Sequence, residues 1–269
     1  MKTTNFYLTV FLSSFSLFVS AQKLPKIDLS LWKLTLPEGA AKTFKGEKLL
    51  AYSANTDILK YMFNDPNDRS LVFYAYPSMT SKRSFTKTEL KEQNAFGNDV
   101  NWTFKEGAKF RAVARMGEIS KKNEKNPRVI FVQIGGRLND VQIKSVGTTG
   151  KDAPAILKVY WDNGFIKLRS KKLLAGVEGD AIFREESWVD DDGFVFKDEV
   201  GQDKFTLDIE VSDGKMEVTL NKREKKVYSG DNYTVWNAFD NYFTVGCNLQ
   251  SEEVGAYANM KFYTLEVVH

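Results

Sequence analysis

The sequence predicts an all-β fold, a β-sandwich or jelly roll, and three observations lead there. Apolar and polar residues alternate along almost the whole chain, two pairs of alternating segments are joined by tight-turn residues, and no amphipathic run is long enough for a major helix. Many short strands at regular spacing build a sandwich rather than a layered α/β fold. A chain of 269 residues can bury one large core, so one domain over residues 22–269 is expected.

Residues 1–21 read as a signal peptide. Lys2 precedes an apolar run from Phe6 to Val19 that closes on Ser20-Ala21, the small-residue pattern of a signal-peptidase site, so the mature chain begins at Gln22 and is secreted or periplasmic. The run is too short and too rich in Ser and Thr for a membrane span, and no later window resembles one. No cysteine stands at the cleavage site to carry a lipid. Strands follow at "SLVFYAYP", "KFRAVARM" and "RVIFVQI". The firmest hairpins come next: "AILKVYW" and "FIKLRS" flank Asp162-Asn163-Gly164, and "FTLDIEV" and "MEVTL" flank Ser212-Asp213-Gly214, turns that demand positive φ. "NYFTVGCNLQ" and "MKFYTLEVV" complete the set. The lysine-rich "SKKNEKNP" and the acidic "SWVDDDGFVFKDEVGQDK" read as exposed loops or hairpin tips.

Composition excludes several chemistries. The sole cysteine, Cys247, has no disulfide partner and falls on the core face of its strand, as a small buried hydrophobe. The sole histidine is His269, the last residue, expected to be solvated; no Ser-His-Asp, Cys-His or histidine zinc site can be assembled. Asp190, Asp192, Gly193 and Glu199 imitate calcium-loop spacing, but Trp188 occupies the first-ligand position, so neither metal nor cofactor is expected. A net charge of +3 is too small to argue for nucleic acid and permits a local basic groove for an acidic ligand. A monomer is expected.

Three polar strands remain. In "KTELKEQ", alternation puts Lys87, Glu89, Lys91 and Gln93 on one face, with Thr88, Leu90 and Glu92 on the other. In "RVIFVQIGGR", Val129, Phe131, Gln133 and Gly135 share a face, so Gln133 ends a semi-apolar row and needs partners for both its carbonyl and its amide. In "YFTVGCNLQ", Tyr242, Thr244, Gly246, Asn248 and Gln250 oppose Phe243, Val245, Cys247 and Leu249. Each alone reads as readily as a solvated or internally satisfied strand.

Together these strands resemble the alginate lyases of polysaccharide lyase family 7, which carry R-S/T-E-L-R-E, Q-I-H and Y-F-K-x-G-x-Y-x-Q on three strands. The counterparts are Lys87-Thr88-Glu89-Leu90-Lys91-Glu92, Gln133-Ile134-Gly135 and Tyr242 through Gln250, and "IDLSLWKLTLP" is similar to the family's first strand, with Trp32 and Pro37 in place. The resemblance implies a jelly roll of two antiparallel sheets whose concave groove holds an acidic polysaccharide and breaks it by β-elimination. Such chemistry needs a base for the C5 proton, an acid for the departing O4, and groups that stabilise charge building on the carboxylate.

The departures are pointed: Gly135 stands for the family's His, Thr244 for its Lys, Asn248 for its second Tyr, and Lys87 and Lys91 for two Arg. The family's own proton transfer cannot operate with a glycine in place of the base. By resemblance Lys87 and Gln133 neutralise the carboxylate. Tyr242 serves as acid, or as acid and base if cationic neighbours depress its pKa. Lys144, in the "DVQIKS" segment, is the candidate substitute base, while Glu89, Lys91, Asn248, Gln250 and Arg137 are candidates for substrate binding. Trp161, Trp236 and Tyr257 are available to stack on sugar rings. The substrate is alginate or another uronate polymer such as ulvan or glucuronan. The alternative is a carbohydrate-binding protein that kept the groove and lost the chemistry. A two-carboxylate hydrolase fails because Glu89 and Glu92 face opposite sides of one strand.

Overall fold

The structure, a computed structural model, describes residues 26–38, 42–77, 86–94, 96–122 and 125–269. The proposed signal peptide lies outside them. Seventeen strands occur among the described residues. In chain order they begin with β1 (Lys26–Ile27), β2 (Trp32–Thr35), β3 (Thr43–Lys45), β4 (Met62–Asn64), β5 (Leu71–Ala75) and β6 (Thr86–Glu92). Next come β7 (Ala108–Ile119), β8 (Arg128–Arg137), β9 (Asp152–Asp162), β10 (Phe165–Leu173), β11 (Trp188–Asp190) and β12 (Phe194–Glu199). The last are β13 (Phe205–Ser212), β14 (Lys215–Leu220), β15 (Glu224–Ser229), β16 (Asp240–Gln250) and β17 (Ala258–Val268).

They form two sheets packed face to face as a jelly-roll sandwich. One runs β15-β14-β13-β7-β17-β5-β4, with β1 on β17; the other runs β11-β10-β9-β8-β16-β6-β2-β3, with β12 on β10. All pairings are antiparallel except the two-residue β1, which lies parallel to β17. Inward residues of both sheets make one core, and aromatic rings bridge it: Phe131 of β8 meets Phe205 of β13 edge-on, with centroids 5.5 Å apart. Both predicted hairpins form, and in the first Asn163 and Gly164 take φ of 50° and 89°, the left-handed pair that a two-residue turn requires. Among the described residues no helix is long and apolar enough to cross a membrane.

Three expectations need correction. The acidic segment is not all loop: it supplies β11 and β12, because Trp188 and Phe196 are buried, and only Asp191 and Asp192 of its charges fall in the turn between them. Trp161 and Trp236 are core residues, each spending its indole N–H inside the protein, on the Gly201 carbonyl (2.8 Å) and the Asn241 side chain (2.8 Å). Tyr257 lies beside Tyr74 of β5, in the opposite sheet from the three polar strands. Finally, Phe131 does not share a face with Gln133. The β8–β9 register shifts between Ile130 and Val132, and the β16–β8 register shifts between Val245 and Asn248. The bulge changes the parity of β8, turning Phe131 inward and leaving Gln133 outward.

Candidate active site

The three polar strands are neighbours, β8-β16-β6, at the centre of the nine-stranded sheet. Register aligns Lys33, Lys91, Thr244, Gln133, Lys158 and Arg169 in one row across β2, β6, β16, β8, β9 and β10. Their chain neighbours Leu90, Val245, Ile134, Leu157 and Val159 are all 0 % exposed, which fixes the row on the face away from the core.

Tyr242, directly opposite Gly135 on β8, is the centre of this face. Its ring lies flat on the glycine: a Cβ at Gly135 would fall 2.5 Å from Cζ and 2.7 Å from the phenol oxygen. The tyrosine ring thus takes the room that a side chain at position 135 would fill. Lys91 Nζ sits 3.9 Å from the ring centroid and the Arg137 guanidinium carbon 4.8 Å from it. Such contacts hold a ring by about 0.5–2 kcal/mol each. Burial raises the pKa of Tyr242 above its ordinary value, against the pull of Arg137, so the phenol keeps its proton. The condition for Tyr242 to serve as base as well, a pKa depressed by its cationic neighbours, is not met, because desolvation outweighs the cation. Burial, and then Arg137, lower the pKa of Lys91, which has no carboxylate partner among the described residues.

Replacing Gly135 by Ala drives a methyl group into the ring. We expect this variant to lose about 1–3 kcal/mol of stability, as overpacked sites do, and most of any activity that depends on Tyr242; thermal melting and a turnover assay check the two effects separately.

Arg137 is 7 % exposed and its guanidinium is committed: Nη2 donates to Asp99 (3.2 Å), and Nη1 to the Val100 carbonyl (3.3 Å) and the Asn101 side chain. Asp99 also accepts from Lys33 (3.0 Å) and Gln93 (2.6 Å). Burial works against its charge, yet the hydrogen bonds from Gln93 and Lys33 and the nearby cations hold its pKa near 2. Arg137 thus clamps the segment around Asp99 beneath Tyr242 rather than standing free for a ligand.

Glu89 is the second hub. It is 6 % exposed and accepts from Gln133 Nε2 (2.8 Å), from the Thr244 hydroxyl (3.2 Å) and from Lys87 Nζ. Gln133 Nε2 also reaches Thr244 Oγ1 at 3.2 Å, so both amide hydrogens have partners inside the protein. Lys87 and Gln133, expected to meet the substrate carboxylate, are instead satisfied by Glu89. Of the two outward lysines of β6, Lys91 is the one without a carboxylate partner among the described residues.

The remaining candidates lie elsewhere. Asn248 and Gln250 bond each other (2.8 Å) farther along β16, and Gln250 lines a cavity of about 780 Å³ with Lys121, Lys122, Lys125 and Glu253, away from Tyr242. Lys144 is exposed on the short helix Asp140–Val146 and shares no hydrogen bond or ion pair with the other candidates among the described residues. Glu92 points under the face, as alternation predicts. His269 is exposed, as expected, yet its ring is anchored: it pairs with the Glu92 carboxylate and lies 5.8 Å, centroid to centroid, from Trp102. Sequence reasoning missed Lys158, whose signal was a lysine alternating between Leu157 and Val159.

Comparison with known proteins agrees with the fold. The model of a family described as alginate lyase matches residues 27–269. Alginate lyase A1-II′, a member of polysaccharide lyase family 7, superimposes with a TM-score of 0.67 at 24 % identity, over 90 % of this chain and 95 % of its own. A variant of that enzyme, solved in complex with a substrate, GGMG, gives a TM-score of 0.66 at 24 % identity, over 90 % and 94 % of the two chains. The alginate lyase of Pseudomonas aeruginosa follows at 0.66 and 19 % identity, over 90 % of this chain and all of the other. No curated protein sequence matches the chain.

Proposed function

We propose that this chain, which belongs to the alginate lyase family, is an exported polysaccharide lyase that cleaves a uronic-acid polymer by β-elimination. The observation that carries the reading is the Tyr242 phenol, held over Gly135 between Lys91 and Arg137 on the central strands. Environments that push two neighbouring pKa values apart assign acid and base. Here burial keeps the proton on Tyr242 and favours its loss from Lys91.

In the proposed reaction Lys91, in the fraction that has given up its ammonium proton, takes the C5 proton, the C–H electrons form the C4–C5 double bond, and the C4–O4 bond breaks. The Tyr242 hydroxyl gives its proton to the departing O4. Lys91, now an ammonium beside the phenolate, returns a proton to Tyr242 and resets the pair. Arg137 contributes a fixed positive field opposing the charge that builds on the carboxylate. Lys144, the base expected from sequence, is exposed; the burial that a lysine base needs is found at Lys91 instead.

The test is ultraviolet absorbance of the unsaturated product on alginate, ulvan, glucuronan and a neutral glucan in parallel. A rise on one acidic polymer is expected, reduced by about a hundredfold or more in Lys91→Arg, which keeps a cation and loses the base. A Lys91→Arg protein with undiminished turnover would remove Lys91 from the mechanism. A second reading, an acidic-carbohydrate-binding protein, is favoured by one observation: the Gln133 amide hydrogens are closed onto Glu89 and Thr244. Binding in an affinity gel without product on any polymer would establish it.

A further inference from the structure

Lys158 occupies the same row as Lys91, three strands away: Lys91 pairs with Thr244, Thr244 with Gln133, and Gln133 with Lys158. At the usual strand spacing the two lysines are about 14 Å apart along the row. Both are half-buried, and neither has a carboxylate within ion-pair distance among the described residues. The cations around Lys158 differ. Lys171 is held by Asp190 (2.7 Å) and Lys167 by Asp162 (2.8 Å), and Arg169 donates to the Asp191 carbonyl (2.9 Å). Tyr160, two residues along β9, shows its ring on the same face with Arg128 against it, 5.5 Å from ring centroid to guanidinium carbon.

A lysine kept partly out of water without a directly paired anion is destabilising unless a ligand supplies one; the Asp190 carboxylate acts on Lys158 only from beyond ion-pair distance, while it pairs with Lys171. Burial lowers the pKa of Lys158, as it does that of Lys91. We propose that Lys158, beside the ring of Tyr160, is a second acid-group subsite, and that a polyuronate lies across the strands with one carboxylate at Tyr242 and another, about three sugars along and so beyond the reach of a trimer, at Lys158. The proposal rests on the lyase reading of the central site and extends it to substrate length. A pyranose residue in a chain is about as long as one strand spacing, so the row is a ruler whose marked positions are two lysines without an ion-pair partner among the described residues. The ligand class is an oligouronate long enough to reach both.

The experiment is calorimetric titration of the Tyr242→Phe protein, chosen to leave ligands intact, with purified trimers and hexamers of the uronate that the product assay identifies, or of alginate if none does. Hexamer should bind more tightly than trimer. Lys158→Met in that background should weaken hexamer binding about 10- to 100-fold with trimer little changed, and Lys158→Arg should retain most of the hexamer affinity. Melting temperatures at or above the parent's exclude unfolding as the cause. Equal weakening of both ligands, or no weakening, overturns the subsite while leaving the central reading in place. Failure of the parent to bind either oligomer overturns both.

Discussion

Tyr242→Phe is expected to reduce turnover by about 10²–10⁴-fold, the usual contribution of a positioned proton donor, while leaving the melting temperature within a few degrees of the parent. The phenol oxygen has no hydrogen-bond partner among the described residues, so its removal strands no buried group. The ring, with Gly135 under it and Lys91 and Arg137 against it, survives the substitution. Loss of activity without loss of stability therefore isolates the proton. Full activity in the phenylalanine variant would eliminate Tyr242 as the acid, and with it the mechanism proposed above.

Glu92→Ala is expected to cost about 1–3 kcal/mol, the range for leaving a buried hydrogen-bond donor without its acceptor. The Glu92 carboxylate accepts the Phe243 backbone N–H (2.9 Å) and the Trp102 indole (3.3 Å), and it pairs with His269. Alanine leaves two buried donors and the His269 ring without their acceptor. Because Phe243 adjoins Tyr242, the variant should also lose activity in proportion to the disturbance of β16. Denaturant unfolding monitored by tryptophan fluorescence measures the cost; a change below about 1 kcal/mol would mean that water replaces the carboxylate without penalty.

Most of the fold could be read from local chemistry. The turn at Asn163-Gly164 and the alternation of β9, β10, β13 and β14 are properties of a few consecutive residues. The bulge in β8 is not: it arises where β8 pairs with β9 and β16 at once, and alternation alone put Phe131 on the wrong face. The acidic segment misled because three consecutive aspartates dominate its composition, whereas Trp188 and Phe196 determine where its backbone goes.

The site was legible as a set of strands and not as a set of roles. Lys87 and Lys91 are indistinguishable by alternation, both facing outward on β6. What separates them is that Glu89 takes Lys87 and leaves Lys91 to the Tyr242 ring. Arg137 reads in sequence as a free cation at the end of a strand, yet its guanidinium serves Asp99, a contact 38 residues away in the chain. Lys158 came to notice only through its register with Gln133.

The closed contact among Glu89, Gln133 and Thr244 has a stereochemical consequence. A carboxylate can only accept, so Glu89 fixes which end of the Gln133 amide turns toward it, and the amide carbonyl is left facing outward. That oxygen repels an acid group and attracts a hydroxyl. Wherever a sugar settles beside it, an equatorial and an axial hydroxyl differ in whether they reach it, so epimers that differ at one ring carbon meet different surfaces. Under the proposed lyase reading, the glutamine that the family pattern associates with the acid group would meet a neutral hydroxyl instead.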